Sequence, residues 1–178
     1  MKLLRTIQLD PSDTLVFDHA AEPGEWAVSG GFMFAGVDPG ALSGKVAAAF
    51  RNGFLGIQSF GWSTLTQVVE VTDTQYKVAL ELLTYQFREQ LGAPDLAAAS
   101  AAAEEELAFV ASLCDRPADT LIAVNRTVED GAIRESFRSL HPPGEALPMR
   151  AFSFIEVEGE DEPAEEVSLI DLAKGKQA

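Results

Sequence analysis

The chain has 178 residues, of which 47% are hydrophobic and 23% charged, and its formal net charge is −15. This length and composition are typical of a globular protein, and we expect one domain over residues 1–155 and an acidic, solvated tail over residues 156–178. The negative charge repels phosphate backbones and anionic lipids, so nucleic acid and membranes are excluded as expected partners.

The N-terminal sequence and the cysteine content both bear on the cellular location of the protein. MKLLRTIQLD has no long apolar run of the kind that a signal peptide carries. No stretch of the chain approaches the roughly 20 apolar residues that cross a bilayer. Cys114 is the single cysteine, so no internal disulfide can form. A cytoplasmic location is therefore predicted.

The first third of the chain predicts short strands and one helix. KLLRTIQLD alternates between two faces, TLVFDH resumes an extended pattern, and EWAVSGGFMFAGV is a strand pattern broken at Gly30 and Gly31. Asp38 and Pro39 predict a helix start, and Gly53 predicts its end. SFGWSTLTQVVEVT predicts the next strand.

The middle of the chain predicts two longer helices. Thr72 and Gln75 form a capping-box pattern, and apolar residues follow at helical spacing as far as Gly92. The second helix covers DLAAASAAAEEELAFVASLC. Its alanines bury little apolar area; alternatively, they permit the close approach of another helix.

Residues 120–140 carry the clearest local signal, because Asp130-Gly131 between two alternating runs is typical of a two-residue hairpin turn. MRAFSFIEVE predicts a last strand. Together these elements predict an α+β fold, a single domain with a mainly antiparallel sheet and about three helices packed on one face. The turn predicts three cross-strand pairs: Val128–Ile133, Arg126–Glu135 and Val124–Phe137.

Familiar catalytic patterns are missing from the sequence. GALSGKV lacks the glycine spacing and the hydroxyl of a phosphate-binding loop, and no GxGxxG or GxSxG pattern occurs. His19, His141 and Cys114 have no paired spacing for a metal. Glu104, Glu105 and Glu106 are adjacent and fan around their helix, which argues against an acid/base pair. We expect no metal, no cofactor and no assigned catalytic residue.

Aromatic and arginine residues are the remaining binding candidates. The aromatic residues lie in glycine-containing segments and are either core residues or an apolar pocket or self-association surface. The arginines of the hairpin are candidates for binding an anion, although Arg126 also fits a cross-strand ion pair with Glu135 and the others a solvated face. The candidates are Trp26, Phe32, Phe34, Trp62, Arg126, Arg134 and Arg138.

Four segments together resemble a known but uncharacterised family of small, mostly alphaproteobacterial proteins of about this length. They are MKLLRTIQLDPSDTLVF, AAEPGEWAVSGGF, FLGIQSFGWSTL and RTVEDGAIRESFRSL, and the resemblance covers residues 1–140. It implies a bacterial, cytoplasmic setting. It transfers no activity, cofactor or site residue.

The sequence favours a non-catalytic binding or accessory protein. We expect it to form a homodimer through the aromatic segments 26–34 and 54–62, or to bind a protein partner or a small apolar or anionic ligand there. The alternative is a small enzyme whose acid/base site is assembled from His19, Asp18, Glu22 and Arg126. A further alternative is that the acidic tail docks a basic partner.

Overall fold

The computed structural model describes residues 1–141 and 156–158. Its α-helices are α1 (Asp13–Val16), α2 (Gly44–Asn52), α3 (Asp73–Leu91) and α4 (Leu96–Leu113). Its strands are β1 (Lys2–Ile7), β2 (Trp26–Val28), β3 (Phe54–Gly56), β4 (Trp62–Ser63), β5 (Leu65–Glu70), β6 (Leu121–Glu129), β7 (Ala132–His141) and β8 (Glu156–Glu158).

The strands form one antiparallel sheet in the order β4-β3-β2-β1-β5-β6-β7-β8. Helices α3 and α4 pack against each other, α4 also contacts β1 and β2, and α2 contacts β6. The predicted α+β class with a mainly antiparallel sheet is confirmed. In the described residues, no helix is long and apolar enough to cross a membrane.

The main core lies between the sheet and the α3–α4 pair. A smaller apolar cluster forms around α2. Leucine, valine and phenylalanine side chains that are almost fully buried dominate the main core. Its most buried members include Leu4, Val28, Phe54, Leu55, Val68, Leu83, Leu107 and Val110. The smaller cluster consists of Phe17, Phe34, Ala49 and Phe50.

The predicted starts of α3 and α4 are confirmed by their caps. Thr72 Oγ1 accepts a hydrogen bond from the Gln75 amide at 3.2 Å, and the Thr72 amide donates to Gln75 Oε1 at 2.9 Å. Asp95 Oδ1 accepts from the Ala98 amide at 2.8 Å at the start of α4. These side chains satisfy amides that have no partner inside the helix.

Of the strands predicted near the N-terminus, TLVFDH was wrong, and EWAVSGGFMFAGV was confirmed only over Trp26–Val28. The first three residues of TLVFDH belong to the single turn α1, because the buried Asp13 carboxylate accepts hydrogen bonds from the Ser63 hydroxyl and the Thr64 amide and holds the turn in place. Residues Gly31–Phe34 form a 3₁₀ turn, because Gly30 at φ 79° redirects the chain at the end of β2.

The helix predicted from Asp38 begins later than expected. Asp38 caps a separate 3₁₀ turn, Pro39–Ala41, by accepting a hydrogen bond from the Gly40 amide at 2.9 Å. The chain leaves this turn with Leu42 and Ser43 extended, and α2 starts at Gly44. The predicted stop at Gly53 is confirmed.

The hairpin register is confirmed, with Arg126 opposite Glu135 and both turn residues at positive φ, 52° at Asp130 and 78° at Gly131. Residues 156–158 pair with β7. The rest of the predicted last strand MRAFSFIEVE and the tail beyond residue 158 lie outside the described residues, so the domain boundary and the nature of the tail stay predictions.

Candidate functional site

Arg126 of β6 points into the interior and is 1% exposed. Its Nη1 donates to the carbonyl oxygens of Phe50 and Gly53 at 3.1 and 2.7 Å, at the C-terminal end of α2, and its Nη2 donates to the carbonyl oxygen of Ser29. Carbonyl groups at a helix C-terminus carry partial negative charge. The guanidinium group therefore caps α2 and joins it to the end of β2.

Glu135 of β7 balances this buried charge. Its Oε1 accepts hydrogen bonds from Arg126 Nε at 2.6 Å and from Ser29 Oγ at 3.0 Å. The predicted pair between Arg126 and Glu135 is thus present, but inside the molecule. A Cβ atom at Gly31 would lie 2.6 Å from Glu135 Oε1, so a larger residue at this position would displace the Glu135 carboxylate.

A second carboxyl group, Glu106 of α4, lies beside this ion pair. Its Oε1 is buried and has no hydrogen-bond partner in the part of the chain that the structure describes. Burial, followed by the negative charge of Glu135, raises the pKa of Glu106 to about 7. The amides of Ser29 and Gly30 and the charge of Arg126 oppose this rise. Near neutral pH this carboxyl group therefore exchanges a proton readily.

A pocket of about 210 Å³ adjoins both carboxyl groups. Since Arg126 already neutralises Glu135, ionisation of Glu106 gives the pocket a net negative charge. The pocket combines carboxyl oxygens with apolar walls, which suits a small positively charged group that carries an apolar flank. Its lining consists of Ser29, Gly31, Phe32, Glu106, Phe109, Ile133 and Glu135.

The aromatic candidates do not form a shared exposed surface. Trp26 and Phe34 are 7% and 6% exposed, and Phe32 and Trp62 are half-buried against the core. The Phe34 and Trp62 rings lie 5.4 Å apart, while the Phe32 ring packs edge-on against Phe87 at 5.1 Å. Of the four candidates, Phe32 lines the pocket beside Glu106.

The three candidate arginines do not lie together. Arg126 is buried, whereas Arg134 is exposed and its Nε lies 3.5 Å from Glu129 Oε2. Arg138 is exposed and lines a different pocket, of about 450 Å³, between the end of α4 and the β6–β7 strands. The structure therefore does not assemble one anion site from all three.

The predicted acid/base group is not assembled either. His19, Asp18 and Glu22 are exposed, and Asp18 Oδ1 lies 4.0 Å from Lys45 Nζ. The donors of Arg126 contact Glu135 and main-chain carbonyl groups instead of these residues. His19 and Arg126 thus belong to different environments.

Two other buried carboxylates stabilise loops. Glu25 accepts hydrogen bonds from the Gln58 and Ser59 amides at 2.7 and 2.8 Å and from the Ser59 hydroxyl at 2.5 Å. Asp13 bonds the segment at Thr64 in the same way. A buried carboxylate with several donors is satisfied by the protein itself, so these two groups leave no capacity for a ligand.

Glu106 was missed because it was grouped with Glu104 and Glu105 as adjacent carboxyl groups that fan around their helix. Its spacing carries the missing signal. Residues 99, 103, 106 and 110 follow one another at intervals of three or four, and the other three are buried. Glu106 therefore lies on the core-facing side of α4, where a carboxyl group needs an explanation.

Comparison with known proteins places the chain in a family. The model of DUF6505, a family of unknown function, matches residues 1–156, so the chain belongs to that family. The resemblance inferred from the sequence is confirmed, and it extends past residue 140. No curated protein and no solved structure matches the chain at a significant level. Within the described residues, no group of three or more His, Cys, Asp or Glu side chains is arranged to hold a metal ion.

Proposed function

We propose that the protein is a binding protein for a small organic cation, a compound with a primary ammonium group and an apolar flank. The ammonium group lies between the carboxyl groups of Glu106 and Glu135. The observation that supports this most directly is the buried, unpartnered Oε1 of Glu106 at a pocket that also contains Glu135. A buried acceptor without a donor is costly, and a bound ammonium group supplies the donor.

The charge balance favours a cation over the anion expected from the arginines. The guanidinium donors of Arg126 are directed to Glu135 and to carbonyl groups, so they are not presented to a ligand. The ligand instead meets carboxyl oxygens, with the rings of Phe32 and Phe109 close by. Aromatic faces attract cations and shield their apolar flank from water.

Binding of a cation depends on the ionisation of Glu106. Since its pKa is raised to about 7, the carboxyl group is largely protonated in mildly acidic solution and ionised in mildly basic solution. We expect affinity for an ammonium ligand to rise about tenfold between about pH 6 and about pH 8 and then to level off.

Calorimetric titration with three compounds of matched shape tests the proposal: benzylamine, benzyl alcohol and benzoate. We expect benzylamine to bind, with the predicted rise in affinity with pH, and the other two to bind more weakly or not at all. Glu106→Gln removes the negative charge but keeps the size of the side chain, and it should lower benzylamine affinity by about tenfold or more.

Glu105→Gln is the matched control, because Glu105 is the preceding residue of α4 and is exposed. It should leave affinity unchanged. Preferential binding of benzoate, equal binding of all three compounds, no binding of benzylamine, or unchanged affinity in Glu106→Gln would each contradict the proposal.

A second candidate, acid/base catalysis by Glu106, is favoured by its pKa near neutrality in a pocket. It differs from simple binding in one measurable respect, because a catalyst changes its ligand. Incubation with a mixture of small amines and amino acid derivatives, followed by mass spectrometry, separates the two. Loss of one compound that depends on Glu106 would favour catalysis, and an unchanged mixture would favour binding.

A further inference from the structure

The outward face of α3 carries apolar and charged side chains that stay exposed in the part of the chain that the structure describes. Val78, Tyr85 and Leu91 are exposed apolar side chains on this helix, and Tyr85 is 60% exposed. Glu81 and Arg88 are exposed between them. Among the described residues, neither of these two charged side chains has an ion-pair partner. We call these five residues the α3 stripe.

The α3 stripe has the same spacing of apolar and charged residues on both sides of its midpoint, and the two charged residues have opposite signs. Apolar Val78 is followed by acidic Glu81, and apolar Leu91 is preceded by basic Arg88. Glu81 and Arg88 are separated by seven residues, or two helical turns, and therefore point in nearly the same direction. Tyr85 lies next to the midpoint between them.

We infer that two copies of this chain pair through their α3 helices, running antiparallel around a twofold axis near residues 84 and 85. In this arrangement Glu81 of each copy faces Arg88 of the other, while Val78 and Leu91 lie on either side of this charged pair. The two Tyr85 rings meet near the axis. A twofold interface must be self-complementary, and the α3 stripe satisfies this condition in charge, with Tyr85 meeting its own copy.

The neighbouring surface of α4 provides the remaining width of the contact. A shallow groove of about 300 Å³ lies beside the α3 stripe, and Leu96 and Ser100 of α4 form its far side. Leu96 is exposed, as are Ala97, Ala98, Ala101 and Ala102. These small side chains allow a second helix to approach closely. Helix α3 has 19 residues and is therefore about 28 Å long, which gives the facing helix several turns to pack against.

This inference is independent of the proposed ligand, because Glu106 and the α3 stripe do not share a residue. It also differs from the dimer predicted from the sequence, which used the aromatic segments 26–34 and 54–62. Trp26 and Phe34 in those segments are buried within one chain, so the self-association surface is assigned to α3 instead.

Sedimentation equilibrium of the full chain at near-physiological salt tests the pairing. We expect a dimer at micromolar concentration. Glu81→Arg places two arginines opposite each other at both ends of the stripe, and Arg88→Glu places two glutamates there. Each variant should raise the dimer dissociation constant at least about tenfold. Arg51→Glu on α2 and Glu22→Arg in a loop, both at exposed positions, should leave it unchanged.

Mixing the two variants gives the sharpest result. In a mixed dimer, the arginine introduced by Glu81→Arg in one chain faces the glutamate introduced by Arg88→Glu in the other. At the opposite end of the stripe, the unchanged Arg88 of the first chain faces the unchanged Glu81 of the second. Both charge pairs are therefore attractive again, and the mixture should dimerise although neither variant does so alone.

Three results would overturn the inference: a monomeric wild-type chain, a dimer that both variants leave intact, or a mixture that stays monomeric. Circular dichroism of each variant separates loss of pairing from loss of folding.

Discussion

At the scale of single residues, one guanidinium group connects three parts of the main chain. Arg126 donates to Glu135 in the neighbouring strand, to the C-terminal end of α2, and to the end of β2. The cost of burying its charge is offset because every direction of the planar group meets an acceptor. Removing the side chain leaves Glu135 without its counter-charge and several buried carbonyl groups without donors.

Arg126→Ala should therefore lower the free energy of unfolding by about 3–5 kcal/mol. Arg126→Lys should also be destabilising, because the ammonium group of lysine lacks the planar fork of donors with which arginine reaches acceptors on several sides. Urea titration followed by circular dichroism measures both. Arg134→Ala is the matched control on the same hairpin. Its pair with Glu129 is exposed, so its effect should stay within about 0.5 kcal/mol. A comparable loss in both alanine variants would contradict this assignment.

The raised pKa of Glu106 makes stability depend on pH in a definite direction. Its pKa in the folded protein is about 7, above the value of 4.5 for an unperturbed group. Folding therefore favours the protonated form, and stability falls as pH rises from about 4.5 to about 7 and then stays constant. Glu106→Gln removes this loss. At about pH 8 the variant should be more stable than the wild type by roughly 1–3 kcal/mol.

Thermal unfolding in ligand-free buffer at several pH values measures this difference, which should shrink towards zero near pH 4.5. Glu105→Gln serves again as the control and should follow the wild-type curve. A Glu106→Gln variant that is less stable than the wild type at high pH would show that the ionised carboxylate is stabilised in the fold, against the stated direction.

The sequence predicted the partner of Arg126 but not its environment. Alternation across a two-residue turn is a local rule, and it paired Arg126 with Glu135 correctly. Burial of the pair depends on where α2 ends relative to β6, and no pattern within either segment contains that information. The spacing of Glu106 on α4 indicates that it faces the core, but it does not reveal that Ser29 and Glu135 lie beside it, because they belong to distant segments.

At the scale of elements, the sequence predicted the features whose geometry depends on residues that are close together in the chain. The capping box at Thr72 and the Asp130-Gly131 turn were identified because their hydrogen bonds and backbone angles depend on adjacent residues. The single turn α1 was not, because Asp13 is fixed by Ser63 and Thr64, about fifty positions away.

The hairpin turn gives the clearest test at this scale. Gly131 has φ 78°, and a Cβ atom there would meet no atom within 4 Å. The cost of Gly131→Ala is therefore conformational, and we expect a loss of about 1–2 kcal/mol in the free energy of unfolding. Gly131→Asn should lose less, since asparagine tolerates positive φ. Chemical denaturation of the three proteins measures the order, and an alanine variant equal to the wild type would contradict it.

At the scale of the whole molecule, sequence order and sheet order differ in a way that local patterns do not reveal. Strand β1 lies between β2 and β5, and the α3–α4 pair is inserted between the neighbouring strands β5 and β6. This insertion makes the α3–α4 pair a separate layer with one side against the core. Its opposite side carries the α3 stripe, through which we propose that two chains pair.

The meeting of three segments at Arg126 also has a consequence for how the native protein opens. The end of β2, the last turn of α2 and the β6–β7 hairpin share one charged group, so none of them can detach without leaving its acceptors unpaired. We therefore expect local unfolding in this region to be cooperative, with the main-chain amides of these segments exchanging their hydrogens with solvent in one event. Ser29 and Glu135 of the pocket wall belong to this unit, so we expect the shape of the pocket to depend on the contact between Arg126 and the end of α2 as well as on its own lining.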